Sequence, residues 1–130
     1  MPTNPNVNLD VRNWAAVPGD GYTTSQNNSS HSYKYTGGTE GSSDGTVVEH
    51  DRGSAVINIQ LGSDSRYSID SVSFRDDSQN QLTSRVLTPT QAQITDVNSQ
   101  VETAEYIVNV RDSVAGVVFE CDPMIRNNPN

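Results

Sequence analysis

Apolar and polar residues alternate with a period of two along most of this chain, the spacing of strands with one buried face. Val7, Leu9 and Val11 alternate with Asn8, Asp10 and Arg12, a first strand. The clearest strand begins at Ala55, where Ala55, Ile57, Ile59 and Leu61 share one side and Asn58 and Gln60 the other. Gly62-Ser63-Asp64-Ser65 then supplies turn chemistry. Tyr67 and Ile69 continue the alternation, but Val72 and Phe74 fall on the opposite parity. One extra residue near Asp70-Ser71, a β-bulge, returns all four to a single face.

Asp76-Asp77-Ser78-Gln79-Asn80 is the next turn. Two weaker strands follow around residues 82–87 and 92–97, separated by Thr88-Pro89-Thr90. Tyr106, Val108 and Val110 form another strand, and Val117, Phe119 and Cys121 a last one, with residues 111–116 as the hairpin between them. Helical periodicity is weak throughout. A single helical turn is expected near residues 13–17, stopped by Pro18-Gly19. Short strands at roughly 8–12-residue spacing with turn signals between them point to a sandwich or barrel. The expected fold class is therefore all-β: one domain over residues 1–130, an immunoglobulin-like antiparallel β-sandwich of about seven strands.

Residues 18–46 break the pattern, because Gly, Ser, Thr and Asn crowd there and offer little apolar surface to offset ordering entropy. The expectation is a flexible segment with one short strand inside it, His31-Ser32-Tyr33-Lys34-Tyr35, which puts Tyr33 and Tyr35 on one face. Residues 36–45 then read as a long loop before a strand at 46–50.

Composition narrows the partners. The net charge is −8 and Lys34 is the only lysine, so no basic stripe exists to release counterions from a phosphate backbone, and nucleic acid is not an expected partner. The acidity reads as a device for solubility. Cys121 is alone, which rules out a disulfide within the chain. Met1-Pro2-Thr3-Asn4-Pro5-Asn6 has no charged-then-apolar leader, and no stretch of about 20 apolar residues occurs, so a cytoplasmic location away from membranes is expected. The glycosylation patterns at Asn27 and Asn28 mean little in that setting.

The chemical motifs are few. Gly41-Ser42-Ser43-Asp44-Gly45 matches the nucleophile elbow of hydrolases, but that motif needs a strand before it and a helix after it, and Gly-rich sequence flanks this one. His31 and His50 have no metal-type spacing, and His50-Asp51 reads as an exposed turn. Cys121 shares parity with Phe119 and reads as a buried apolar group. Asp64, Asp70, Asp76 and Asp77, with Asp96, are the candidate calcium ligands, set against ordinary Asx turns. Trp14, Tyr22, Tyr33 and Tyr35 crowd into the polar N-terminal third. Trp14, Tyr33 and Tyr35 are the candidate carbohydrate platform, set against core and strand-edge packing.

From Ala55 onward the order of features has a counterpart. Ile94-Thr95-Asp96-Val97-Asn98 leads to the strand Glu105-Tyr106-Ile107-Val108-Asn109-Val110 and then to a glycine hairpin. The chain closes on Asp122-Pro123-Met124-Ile125-Arg126-Asn127-Asn128-Pro129, whose motif positions are Asp122, Pro123, Ile125, Asn127 and Pro129. Over a little more than half its length the chain resembles the bacterial DP-EP family and, more distantly, inclusion-body proteins of the AidA/PixA type. The resemblance implies a small β-sandwich with no assigned chemistry and no catalytic residue to carry over. Read physically, Pro123 lacks an N–H and ends the last ladder, Asp122 caps the turn, and Ile125 tucks back on the sandwich edge.

The functional expectation is a non-catalytic structural or protein-interaction module that binds a protein partner or a second copy of itself, with no cofactor. The second expectation is a ligand-binding module for carbohydrate or calcium.

Overall fold

The computed structural model describes residues 5–38, 47–49, 53–62, 64–77, 80–99, 102–121 and 124–127. Within them the chain forms eleven strands and no helix: β1 (Asn6–Arg12), β2 (Thr23–Ser25), β3 (Asn28–Gly37), β4 (Val47–Glu49), β5 (Ala55–Leu61), β6 (Tyr67–Arg75), β7 (Leu82–Thr88), β8 (Gln91–Asp96), β9 (Glu102–Asp112), β10 (Val117–Cys121) and β11 (Met124–Asn127). The fold is all-β. No helix among the described residues is long and apolar enough to cross a membrane.

The strands form two sheets. The larger has the order β2-β3-β1-β5-β8-β7; in the smaller, β10, β9, β11 and β4 are joined by β6, which pairs with β9. The sheets share one hydrophobic cluster. Val7, Leu9, Ile57, Ile59 and Ile94 enter it from the larger sheet, and Tyr106, Val108, Val110, Phe119 and Cys121 from the smaller. Each fully buried aliphatic side chain contributes roughly 1.5–3 kcal/mol relative to exposure. This cluster lies along the period-two pattern of the sequence, which explains why alternation located β1, β5, β9 and β10.

The parity switch between Ile69 and Val72 is a bulge. The register of β6 on β9 shifts between Ile69 and Ser71, and Tyr67, Ile69 and Val72 are all buried with Phe74 packed against the core. Three expectations need correction. The described residues form eleven strands rather than about seven, because β2, β4 and β11 are short pieces of three or four residues and β3 is ordered. The sheets are mixed rather than antiparallel, because β1 runs parallel to β5 and β4 parallel to β11. Residues 13–17 bend without forming a helix, since Asp20 draws the chain into a turn instead.

Residues 18–38 are also more ordered than their composition implies, for they contain β2 and the ten-residue β3. Hydrogen bonds supply what apolar burial does not. Ser25 Oγ donates to the Glu120 carbonyl at 2.8 Å, and the Glu120 N–H donates to Asn27 Oδ1 at 2.9 Å. Tyr35 Oη donates to the Cys121 carbonyl, also at 2.8 Å. These bonds carry β2 and β3 onto β10 and cover part of its outer edge, which an unprotected strand would leave open to pairing. Residues 39–46, including the Gly41–Gly45 motif, and His50 and Asp51 lie outside the described residues.

At the far end, Cys121 pairs with Val108 and Met124 with Glu105, so β10 and β11 keep one register and lie end to end along β9. Asp122, Pro123 and Pro129 are outside the described residues. The ladder expected to finish at Pro123 therefore resumes at Met124. Ile125 and Asn127 sit within it, opposite Ala104 and Glu102.

Candidate functional site

Alternation that sends Val7, Leu9, Ile57 and Ile59 inward sends their neighbours outward. The register then decides which outward residues meet. Asn6 lies opposite Asn58 and Asn8 opposite Gln60 across the parallel β1–β5 pair. Asn58 in turn faces Gln93, and Gln60 faces Gln91, across β5–β8. Two rows of amides thus run across three neighbouring strands. A groove of about 510 Å³ opens over them, lined by Asn6, Asn8, Asn58, Gln60, Gln91 and Gln93 together with Leu87 and backbone from β1, β5 and β8. That volume falls in the usual range for small-ligand sites, roughly 300–1,000 Å³.

The amides are held in place. Gln91 Nε2 donates to Gln60 Oε1 and Gln93 Nε2 to Asn58 Oδ1, each at 3.0 Å. An amide has two N–H donors and an acceptor with two lone pairs, so each pair retains further donors and acceptors for a ligand.

A second cavity of about 270 Å³ shares Asn8 with the first and continues past it, lined by Asp10, Tyr22, Lys34, Thr36 and Gly62. One of these residues, Tyr22, belongs to a cation–aromatic cluster. The Arg12 guanidinium carbon lies 3.6 Å from the Tyr22 ring centroid and 5.0 Å from that of Trp14. Asp20 anchors the cluster: Oδ2 accepts from Arg12 Nη2 at 2.6 Å and from the Val17 amide at 3.0 Å, while Oδ1 accepts from the Tyr22 amide at 2.9 Å. The Val17 amide, then Arg12, then the Tyr22 amide pull the Asp20 carboxyl down to about 2. Tyr22 Oη donates to Asp10 Oδ2, and that bond, with partial burial, raises the phenol above its ordinary range.

The candidate residues of the sequence distribute unevenly around this face. Trp14 is 55% exposed, so it serves as a surface aromatic and not as a core anchor. Tyr33 and Tyr35 do not join it. Both are buried in the core, where their rings meet edge-on 5.7 Å apart, because β3 turns that face toward the smaller sheet. The exposed platform expected of them is corrected accordingly.

The acidic candidates do not gather into one site, and Asp64, Asp70, Asp77 and Asp96 have structural tasks, the last accepting from the Asn98 amide at 3.0 Å. The Asp64 carbonyl accepts from the Tyr67 amide ahead of β6, and Asp70 pairs with Arg111 at 3.1 Å in mid-strand. Asp76 adopts a left-handed φ of 62° just past β6, and Asp77 accepts from the Gln81 and Leu82 amides. Asp64 and Asp76 stand at opposite ends of the nine-residue β6, about 30 Å of strand. Among the described residues, no group of three His, Cys, Asp or Glu side chains is placed to hold a metal ion.

One polar cluster had no signal in the sequence. Buried Asp112 accepts from Arg66 Nε at 2.9 Å, Arg66 Nη2 at 2.8 Å and the amides of Val114 and Ala115 at 3.0 and 3.2 Å. His31 Nε2 lies 2.8 Å from the same carboxylate and Nδ1 lies 2.9 Å from Asn28 Oδ1, so both ring nitrogens are engaged. Burial alone would raise the Asp112 carboxyl, but Arg66, His31 and the two amides outweigh it and hold it well below the usual carboxylate range. With Phe119 stacked on the imidazole at 4.3 Å, this is a structural clamp between β3 and β9. Burial likewise pushes the Cys121 thiol up, away from thiolate chemistry.

No family model matches the chain, and no curated protein matches it.

Proposed function

We propose that this chain is a non-catalytic interaction module on an immunoglobulin-like sandwich, and that it engages its partner through the outer face of the larger sheet. The observation that carries this reading is the continuous groove over β1, β5 and β8, walled by amides in cross-strand register. A fold does not give a function, so the argument rests on that site. The groove is built on central strands of a sheet, which hold its side chains more firmly than loops would. The implied kinship with DP-EP proteins, small sandwiches without assigned chemistry, belongs to the same reading.

A second reading is self-association through β7. It is the last strand of its sheet and exposes Val86 and Leu87, each 41% accessible.

One comparison separates the two. Wild-type protein and a Gln60→Trp variant, whose indole fills the groove, are immobilised and exposed to extract and to a glycan array, and their masses in solution are measured by light scattering. The groove reading expects wild type to retain a partner that the variant loses, with the same mass for both. Identical retention by the two proteins refutes it. A dimer that Gln60→Trp leaves intact and Val86→Lys dissolves supports the second reading.

A further inference from the structure

We infer that the groove over β1, β5 and β8 takes a neutral carbohydrate chain, an inference that rests on the reading of this face as the binding surface. Its chemistry selects the ligand class. The lining holds six side-chain amides and no charged group, in a chain whose net charge is −8. Anionic ligands are recognised by Arg forks or Lys, and cationic ones by carboxylates or aromatic faces. The groove offers neither. A sugar hydroxyl both donates and accepts, as does a primary amide, and Asn and Gln side chains therefore match a polyhydroxylated surface group for group.

The position of the groove argues against an extended peptide. A peptide strand gains most by adding to a sheet edge, where backbone N–H and C=O groups await partners. The edges of this sheet are β2 and β7, whereas the groove lies over β1, β5 and β8, whose ladders are already paired on both sides. Only side-chain groups face the ligand there.

The pre-set bonds Gln91–Gln60 and Gln93–Asn58 fix amide orientation before the ligand arrives, which reduces the entropy lost on binding. Leu87, 41% exposed on the wall, supplies an apolar contact for the C–H face of a sugar ring. The second cavity, entered at Asn8, extends the path past one carboxylate and one ammonium of opposite sign, Asp10 and Lys34, toward Tyr22 and Thr36. The two cavities together favour a chain of several sugar units over a monosaccharide.

The test uses the full chain in affinity electrophoresis through gels containing one neutral polysaccharide each: a mixed-linkage glucan, a xylan, a mannan and a galactan. Titration calorimetry with oligosaccharides of the retarding type follows. The expected result is retardation by at least one polysaccharide, insensitive to added salt, with affinity reduced at least tenfold in Asn58→Ala/Gln93→Ala. The single surface variant Gln91→Ala is expected to fold without difficulty and to weaken binding several-fold. Val114→Ser, on the hairpin after β9 and 71% exposed, retains wild-type retardation.

No retardation by any of the four, or retardation that the groove variants keep, overturns the inference. Capture of a protein partner that Gln60→Trp abolishes, without retardation by any polysaccharide, overturns the carbohydrate assignment while leaving the interaction face standing. If Gln60→Trp changes nothing in either assay, both fail.

Discussion

Gly37 offers the sharpest test of the packing between β1 and β3. It closes β3 opposite Val7 with φ at +85°, a region that L side chains rarely adopt. A Cβ at this position would stand 2.4 Å from the Asn6 carbonyl oxygen, against 3.4 Å or more for ordinary contact. The same carbonyl accepts a hydrogen bond from the Gly38 amide at 3.2 Å, so it is not free to swing away.

Gly37→Ala therefore carries two costs. The left-handed backbone contributes about 1–2 kcal/mol, and opening the strand pair by about 1 Å adds roughly 1–3 kcal/mol of overpacking. Gly19 is a natural control, for it has the same φ of +85° and nothing within 4 Å of its would-be Cβ. Gly19→Ala should cost only the backbone component. Urea unfolding followed by far-UV circular dichroism measures both, with slopes compared to confirm that the unfolded state is unchanged. The expected totals are about 2–5 kcal/mol for Gly37→Ala and about 1–2 kcal/mol for Gly19→Ala. Equal losses in the two variants would refute the close approach of Asn6 to β3.

Three further outcomes are expected. Asp112→Asn replaces the buried carboxylate that Arg66 and His31 face with a neutral side chain and, since Arg66 keeps access to water, should cost about 1.5–3 kcal/mol in unfolding free energy. Because the folded Asp112 carboxyl is held below its ordinary 3.8, its stabilisation is complete above that pH and lost as the pH falls beneath it, so the variant should show a flatter acid limb in a stability–pH profile. Tyr35→Phe removes the bond to the Cys121 carbonyl and should cost about 1 kcal/mol by the same unfolding assay. Cys121 should resist a thiol-reactive dye in native buffer and react at once in denaturant; fast native labelling would contradict its burial.

The parts of this fold that were legible in sequence are those where burial follows parity. Ile57, Ile59 and Leu61 announce β5, and the parity break between Ile69 and Val72 announces the bulge in β6. Burial by polar groups was not legible. His31 and Ser32 are buried in β3, yet as residue types they resemble the loop around them, and the bonds that order them reach Asp112 and the Trp14 carbonyl far along the chain. Tyr33 and Tyr35 misled for a related reason: their polar neighbours made an inward face look outward. The groove left no mark at all. Asn6, Asn8, Asn58, Gln60, Gln91 and Gln93 are ordinary outward residues on three separate strands, and only the registers of β1 on β5 and of β5 on β8 gather them.

That register also dictates an order of events during synthesis. β1 lies between β3 and β5, both of which follow it in the chain, and its parallel neighbour begins more than forty residues after it ends. As the chain leaves the ribosome, β1 finds an antiparallel neighbour in β3 but keeps one backbone edge unpaired until Ala55–Leu61 has emerged. Non-local pairing of this kind is slow and exposes unpaired edges while it waits. Asn6, Asn8, Asp10 and Arg12 line that waiting strand with two charges and two amides on its outward side, a polar guard on the edge until β5 closes over it.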